Sequence, residues 1–143
     1  MKLASIMLYI HTTLILWRDF VLNILTVDDD REVLGALSKS LTRVGHNVTY
    51  FENARDALEY YKKNRFDVVI TDIQMPEMNG VEFITKLHSY DKNVKILVIT
   101  VLEDFEFVGS RIKENVYAYF DKPINFFGLI ETLEKIESLL VKN

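Results

Sequence analysis

The stretch FDVVITDIQMPEMNG, residues 66–80, decides how the rest of the chain is read. Three β-branched residues, Val68, Val69 and Ile70, stand in a row and give way abruptly to Thr71-Asp72. A strand with one wet face alternates apolar and polar residues, because successive side chains point to opposite sides. An unbroken apolar run is a strand covered on both faces, as in a parallel sheet sandwiched between helices. Here such a strand delivers one carboxylate to its carboxyl tip, with a loop carrying Pro76 and Gly80 immediately behind it.

The pattern repeats outward from this point. Ile24 to Val27 is an apolar run closed by Asp28-Asp29-Asp30, and Val48 to Phe51 is a short strand. Val94 to Thr100 (VKILVIT) is the most apolar run, and Tyr117 to Phe120 precedes Asp121-Lys122-Pro123. Between these runs, apolar residues recur at helical spacing. Val33, Leu34, Leu37, Leu41 and Val44 mark a first helix that Gly45 stops. Ala54, Ala57, Leu58 and Tyr61 mark a second, capped by Asn53, and Val81, Ile84 and Leu87 a third. A fourth is expected from about Asp104 to Glu114, ended by a left-handed Asn115. Phe126 to Leu140 form the closing helix. Five strand–helix units predict an α/β fold, a doubly wound (βα)5 parallel five-stranded sheet flanked by helices, over residues 23–143.

The totals agree with one globular, intracellular domain. At 143 residues the chain can bury a core without disulfides, and it has no cysteine, which excludes thiolate metal sites and thiol nucleophiles. Seventeen basic against 21 acidic residues, a net charge of −4, argue against a nucleic-acid domain. His11, His46 and His88 fall in no pattern that suggests a metal ligand or a catalytic base.

Ligands of such a sheet bind in the crevice outside the carboxyl ends of its strands. That edge collects Asp28, Asp29 and Asp30 from strand one, Asp72 from strand three, Thr100 from strand four and Lys122 after strand five. Asp30 is the expected cap of the first helix. Were strands one and three neighbours, Asp28, Asp29 and Asp72 would crowd together. Two unit charges about 4 Å apart repel by roughly 4 kcal/mol at an effective dielectric near 20. Such a cluster calls for a cation, and carboxylates with a carbonyl and water suit Mg2+.

These four pieces, Asp28-Asp29, DIQMPEMNG (Asp72 to Gly80), the hydroxyl ending ILVIT (Thr100) and YFDKP (Tyr119 to Pro123), resemble the response-regulator receiver domains of two-component signalling, in particular single-domain chemotaxis regulators. The resemblance covers about residues 22–141 and implies the flavodoxin-like strand order 2-1-3-4-5. It implies that Asp72 takes a phosphoryl group from a sensor histidine kinase. Asp28, Asp29, Asp72 and the main-chain carbonyl of Gln74 would hold Mg2+, with Asp28 acting directly or through water. Lys122 would pair with phosphoryl oxygens, Thr100 would hydrogen-bond them and move, and Tyr119 would turn inward as it does. Pro76, Gly80 and Pro123 would support the turns. The surface of the fourth helix, fifth strand and closing helix would dock a partner. Such a domain is cytoplasmic and is a signalling domain rather than an enzyme, although it catalyses its own phosphotransfer and slow dephosphorylation. Gln74 and Leu102 occupy the two positions that tune phosphate lifetime in this family.

Two other readings compete. A receiver-like interaction module that takes no phosphate would not need the full set Asp28, Asp29, Asp72, Thr100 and Lys122. A phosphohydrolase with an aspartyl nucleophile carries a second Asp two residues on, where this chain has Gln74.

Residues 1–22 stand apart as an apolar extension. Leu3, Met7, Ile10, Leu14, Trp17 and Val21 follow a four–three spacing, a helical seam. The run is short for a membrane span and lacks a clear cleavage site. It is read as a helix packed on this domain or on a second copy, as a non-native start, or as a membrane or export element. A homodimer through it or through the docking face is one expectation. The others are a downstream protein partner, or an output domain if the chain is a fragment of a longer one.

Overall fold

The computed structural model describes residues 20–101, 103, 106 and 110–141, together with 3, 5 and 6. Five strands form one sheet: β1 (Asn23–Val27), β2 (Asn47–Phe51), β3 (Val68–Thr71), β4 (Lys95–Thr100) and β5 (Ala118–Asp121). Every pairing is parallel and the order is β2-β1-β3-β4-β5, as expected. The helices are α1 (Arg31–Arg43), α2 (Ala54–Tyr61), α3 (Gly80–Tyr90) and the closing α4 (Phe126–Val141).

The apolar runs explain the two-sided sheet. Leu25, Val27, Val69, Ile96 and Val98 feed one core, with Phe83, Ile84 and Leu87 of α3 and Ala57 and Leu58 of α2. Their immediate neighbours, Ile24, Val68, Ile70, Leu97 and Ile99, feed the other, with Leu37 and Leu41 of α1 and Leu129 and Leu133 of α4. Burying each such side chain contributes roughly 1.5–3 kcal/mol. The second core also takes in Leu22, fully buried, and Phe20, so packing begins ahead of Asn23.

Local chemistry fixes the helix starts. Asp30 Oδ1 accepts from the Glu32 and Val33 amides, Asn53 Oδ1 from Asp56 and Asn79 Oδ1 from Glu82. Each such cap is worth about 1 kcal/mol. After α1, Gly45 turns the chain at φ 98°, as a stop glycine should.

Two local expectations differ. Residues 103, 106 and 110–112 are helical, but the segment ends in a 3-10 turn, Lys113–Asn115, and Asn115 is not left-handed. A tightened last turn can satisfy the terminal carbonyls by itself, so no left-handed residue is needed. Leu102 and the rest of that expected helix lie outside the described residues. The extension's seam from Met7 to Trp17 lies outside them too; Leu3 and Ile6 are helical, with 78% and 53% exposed.

His46 is the larger surprise. It is buried, and its Nδ1 accepts the Leu22 amide at 3.2 Å while Nε2 lies 3.3 Å from Glu137 Oε1 of α4. Because Nδ1 accepts, the single proton of the neutral ring sits on Nε2 and is donated to Glu137. The ring thereby ties the chain entering β1 to the closing helix. Burial pushes the imidazole below its ordinary 6.5. The unfolded chain then binds this proton more readily than the fold, so stability falls as pH drops below about 6.5. Burial pushes the Glu137 carboxyl up, with an opposite slope. Urea unfolding of wild type and His46→Gln between pH 7.5 and 5 should therefore show the wild type losing its advantage as pH falls, on the order of 1 kcal/mol. An unchanged difference across that range would contradict a buried, neutral imidazole at His46.

Candidate functional site

Register builds the site. Val27 of β1 pairs with Thr71 of β3, so the next residues, Asp28 and Asp72, leave adjacent strands at the same level. Thr100 of β4 pairs with Asp121 of β5, and the Lys122 amide bonds the Thr100 carbonyl at 2.9 Å. Lys122 is thus delivered beside the tips of the central strands. Carboxylate oxygens of Asp28, Asp29 and Asp72 all lie within 4.8 Å of one another. Asp28 and Asp72 are buried, while Asp29 faces solvent.

One ammonium holds two of these groups. Lys122 Nζ donates to Asp72 Oδ2 at 2.7 Å and to Asp28 Oδ2 at 3.0 Å. The remaining oxygens are held by the backbone: Asp72 Oδ1 accepts from Ile73 and Gln74, and Asp28 Oδ1 from Asp30. Burial pushes the Asp28 carboxyl up more than its bonds from Asp30 and Lys122 bring it down. Burial pulls the Lys122 amine down, but its bonds to Asp72 and Asp28 outweigh that and leave it raised. Three carboxylates against one ammonium leave a formal −2 in a small volume. An all-oxygen donor set with that residual charge fits a hard divalent cation.

Two further features border the cluster. The Thr100 hydroxyl is buried and has no hydrogen-bond partner among the described residues. Buried hydroxyls are usually paired, so this one is available to an incoming acceptor. Thr26 shares that state but lies within β1 rather than at the sheet edge. A groove of about 900 Å³ opens beside the cluster, lined by Asp29, Gln74, Pro76, Lys86 and Arg111 among others. Lys86 and Arg111 were not singled out from sequence; an isolated cation on a helix carries no signal there.

The loop after Asp72 works differently from its sequence-level picture. Its left-handed residue is Glu77, φ 65°, directly after Pro76, the order a type II turn uses. Gly80 is needed for space. A Cβ there would lie 2.5 Å from the Ile73 Cα and closer still to the Asp72 carbonyl oxygen. The Gly80 amide also closes the loop onto the Ile73 carbonyl at 2.7 Å. Tyr119 stands on β5 with 46% exposed, between the inward Ala118 and Phe120. The Lys122–Pro123 peptide is cis.

This is a flavodoxin-like α/β domain with a lysine-bridged acidic pocket at the ligand edge of its sheet. Comparison with known proteins narrows that class. Residues 24–134 match the model of the response regulator receiver domain. The chain is 33% identical to the chemotaxis protein CheY of Thermotoga maritima over 114 residues, covering 79% of this chain and 95% of that protein. It is 32% identical to the transcriptional regulatory protein ZraR of Escherichia coli, covering 80% of this chain but only about a quarter (26%) of ZraR's length. A solved structure of the response regulator TrrA of Thermotoga maritima, in complex with Mg2+-BeF, superposes with a TM-score of 0.73 at 29% identity, covering 80% of this chain and 97% of that one. The chain belongs to the response-regulator receiver domains of two-component signalling.

Two substitutions probe the geometry. Gly80→Ala should cost about 1–3 kcal/mol in urea unfolding, because backbone must move. Asp28→Asn, measured in EDTA, should raise stability by about 1 kcal/mol by relieving the carboxylate crowding. A neutral Gly80→Ala, or an Asp28→Asn no more stable than wild type, would contradict the packing and the charge account respectively.

Proposed function

We propose that Asp72 is a phosphoacceptor and that this domain is a phosphorylation-driven switch served by a histidine kinase. The observation that carries the reading is the Lys122 ammonium bridging Asp72 and Asp28 inside the three-carboxylate cluster. An Asp72 carboxylate oxygen attacks phosphorus, the P–N bond of a phosphohistidine breaks, and its electron pair returns to the donor's imidazole. The product is an acyl phosphate on Asp72. Phosphoryl transfer needs in-line positioning and charge neutralisation far more than covalent assistance. The two backbone amides on Asp72 Oδ1 and the Lys122 bond on Oδ2 fix the nucleophile's plane. The groove beside Asp29 gives the donor its approach.

Asp28, Asp29, Asp72 and the Gln74 carbonyl would hold Mg2+, which when bound supplies charge neutralisation at the transferring phosphoryl group. The related TrrA structure, with its Mg2+-BeF, supports that ligand class. After transfer, the new negative charge draws Lys122 onto phosphoryl oxygens and gives the buried Thr100 hydroxyl an acceptor. Movement of Thr100 frees room for Tyr119 to turn inward. That repacking changes the surface built from the segment ending at Asn115, β5 and α4, where Tyr119 and Phe127 are exposed. A protein partner, an output domain or a second copy would read that surface. Gln74, exposed and lining the groove with Asp29, would tune phosphate lifetime. The setting is the cytoplasm, where the kinase's phosphohistidine is available.

Incubation with a small phosphodonor and Mg2+ should add one phosphoryl group by intact mass. Asp72→Asn and excess EDTA should each abolish the adduct, and Lys122→Met should reduce its yield at least tenfold, about 1.4 kcal/mol of barrier. Absence of any adduct on folded, Mg2+-responsive wild type would identify an interaction module instead.

A further inference from the structure

At the amino ends of the strands, the opposite edge of the sheet from Asp72, His46 sits where three elements meet. It precedes β2, its Nδ1 accepts the Leu22 amide just ahead of β1, and its Nε2 faces Glu137 of α4 at 3.3 Å. The phosphoryl switch uses none of these groups. Backbone bonds hold the surroundings: the His46 amide donates to the Leu41 carbonyl at 3.1 Å, and the Asn47 amide to the Leu22 carbonyl at 3.0 Å. Leu22 is fully buried, and Phe20 packs with it in the core that α1 and α4 cover.

The two bonds of this one ring answer a proton in opposite senses. An imidazole nitrogen accepts only while it carries no proton, and in the imidazolium both nitrogens are donors. A protonated Nδ1 would aim its N–H at the Leu22 N–H, donor against donor, with that amide shut away from water. The contact with Glu137 strengthens instead, because a charged ring donates more firmly to a carboxylate. Leu22 is let go while Glu137 is held. The Leu22 carbonyl keeps its bond from Asn47, so the release is confined to the Leu22 amide and the residues just ahead of it, Phe20 and Val21.

The charged groups around the ring are few. From α4 come Glu137 and, one turn earlier, Glu134, whose charge adds to the upward push that burial gives the Glu137 carboxyl. From α1 the last turn brings Arg43, which is exposed. β1 and β2 begin with Asn23 and Asn47, a neutral pair joined at 3.1 Å. Burial holds the closed ring below its ordinary 6.5, whereas a ring released to water takes its proton at that value. The open form therefore binds the proton more readily, and acid favours opening.

We infer that His46 is a proton-released latch: it fastens the chain entry, Phe20 to Leu22, to the closing helix at neutral pH and frees it in mild acid. The domain thereby carries a second input, acidity, at the far end of the sheet from Asp72.

The test follows single amides of the full chain by hydrogen exchange read by NMR, each rate corrected for the pH dependence of chemical exchange. Below the ring's ordinary 6.5 the open population grows about tenfold per pH unit until the closed ring itself titrates. The Leu22 amide should accordingly lose about tenfold in protection from pH 7 to 5.5. At every pH it should exchange roughly tenfold or more faster than Ile70 of the central strand β3, the mark of an opening smaller than global unfolding. His46→Asn places an oxygen that cannot titrate near the position of Nδ1, and Leu22 protection should then stay flat. Glu137→Gln withdraws the carboxylate that favours the imidazolium, and the loss should move to lower pH. Leu22 protection that is constant or rises with acid in the wild type overturns the latch. So does exchange of Leu22 in step with Ile70 throughout, or a loss of the same size in His46→Asn. Should His46→Asn fail to fold, the Glu137→Gln profile decides, and one that coincides with the wild type overturns the latch as well.

Discussion

The structure depends on one ammonium group. Lys122 reaches across from the last strand and holds the carboxylates of Asp28 and Asp72, which leave two central strands side by side. Without it, two buried acids would face each other and an exposed third across less than 5 Å. Removing one partner from a buried ion pair typically costs 3–5 kcal/mol, because the other is left uncompensated. Even with Lys122 the cluster keeps excess negative charge. The two hydrophobic cores on either side of the sheet supply the stability that lets such an arrangement persist. This is the usual relation between a functional site and the scaffold that tolerates it.

Much of this was legible in the residues. Val68-Val69-Ile70 and Ile96 to Ile99 are apolar on consecutive positions, and only a strand covered on both faces needs that. Asp30 and Asn53 stand where caps are expected and act as caps. The convergence of Asp28, Asp29, Asp72 and Lys122 followed from their placement at strand ends once the strand order was fixed. What stayed hidden depends on distant packing. His46 looked like an ordinary turn residue because its partners, Leu22 and Glu137, lie 24 and 91 positions away in the chain. The left-handed backbone fell on Glu77 rather than on a glycine, and Gly80 was demanded by crowding against Asp72 and Ile73, which local turn chemistry cannot reveal. Asn115 was a reasonable helix terminator by type, but a 3-10 turn did the work.

The candidate site and β5 are joined through short, stiff connections. The Lys122 amide, just past β5, bonds the Thr100 carbonyl at the end of β4, and Tyr119 lies on β5 three residues before Lys122. Asp72, Thr100 and Lys122 thus stand at the ends of three neighbouring strands, β3, β4 and β5. The Thr100 hydroxyl has no hydrogen-bond partner among the described residues, and a buried polar group in that condition responds strongly to any new acceptor.

The two-sided burial of the sheet has a consequence for how the chain can vary. In a sheet with one wet face, slipping a strand by a single position turns its oily side toward water, and solubility punishes the error. Here both sides are oily: Ile24 and Leu25, or Val68 and Val69, could trade places with little change in hydrophobic character. Misthreading would be betrayed chiefly at the strand tips, where Asp28 and Asp72 would no longer arrive level with each other beneath Lys122. The polar tips, more than the greasy middle, therefore act as the proofreader of alignment in this domain.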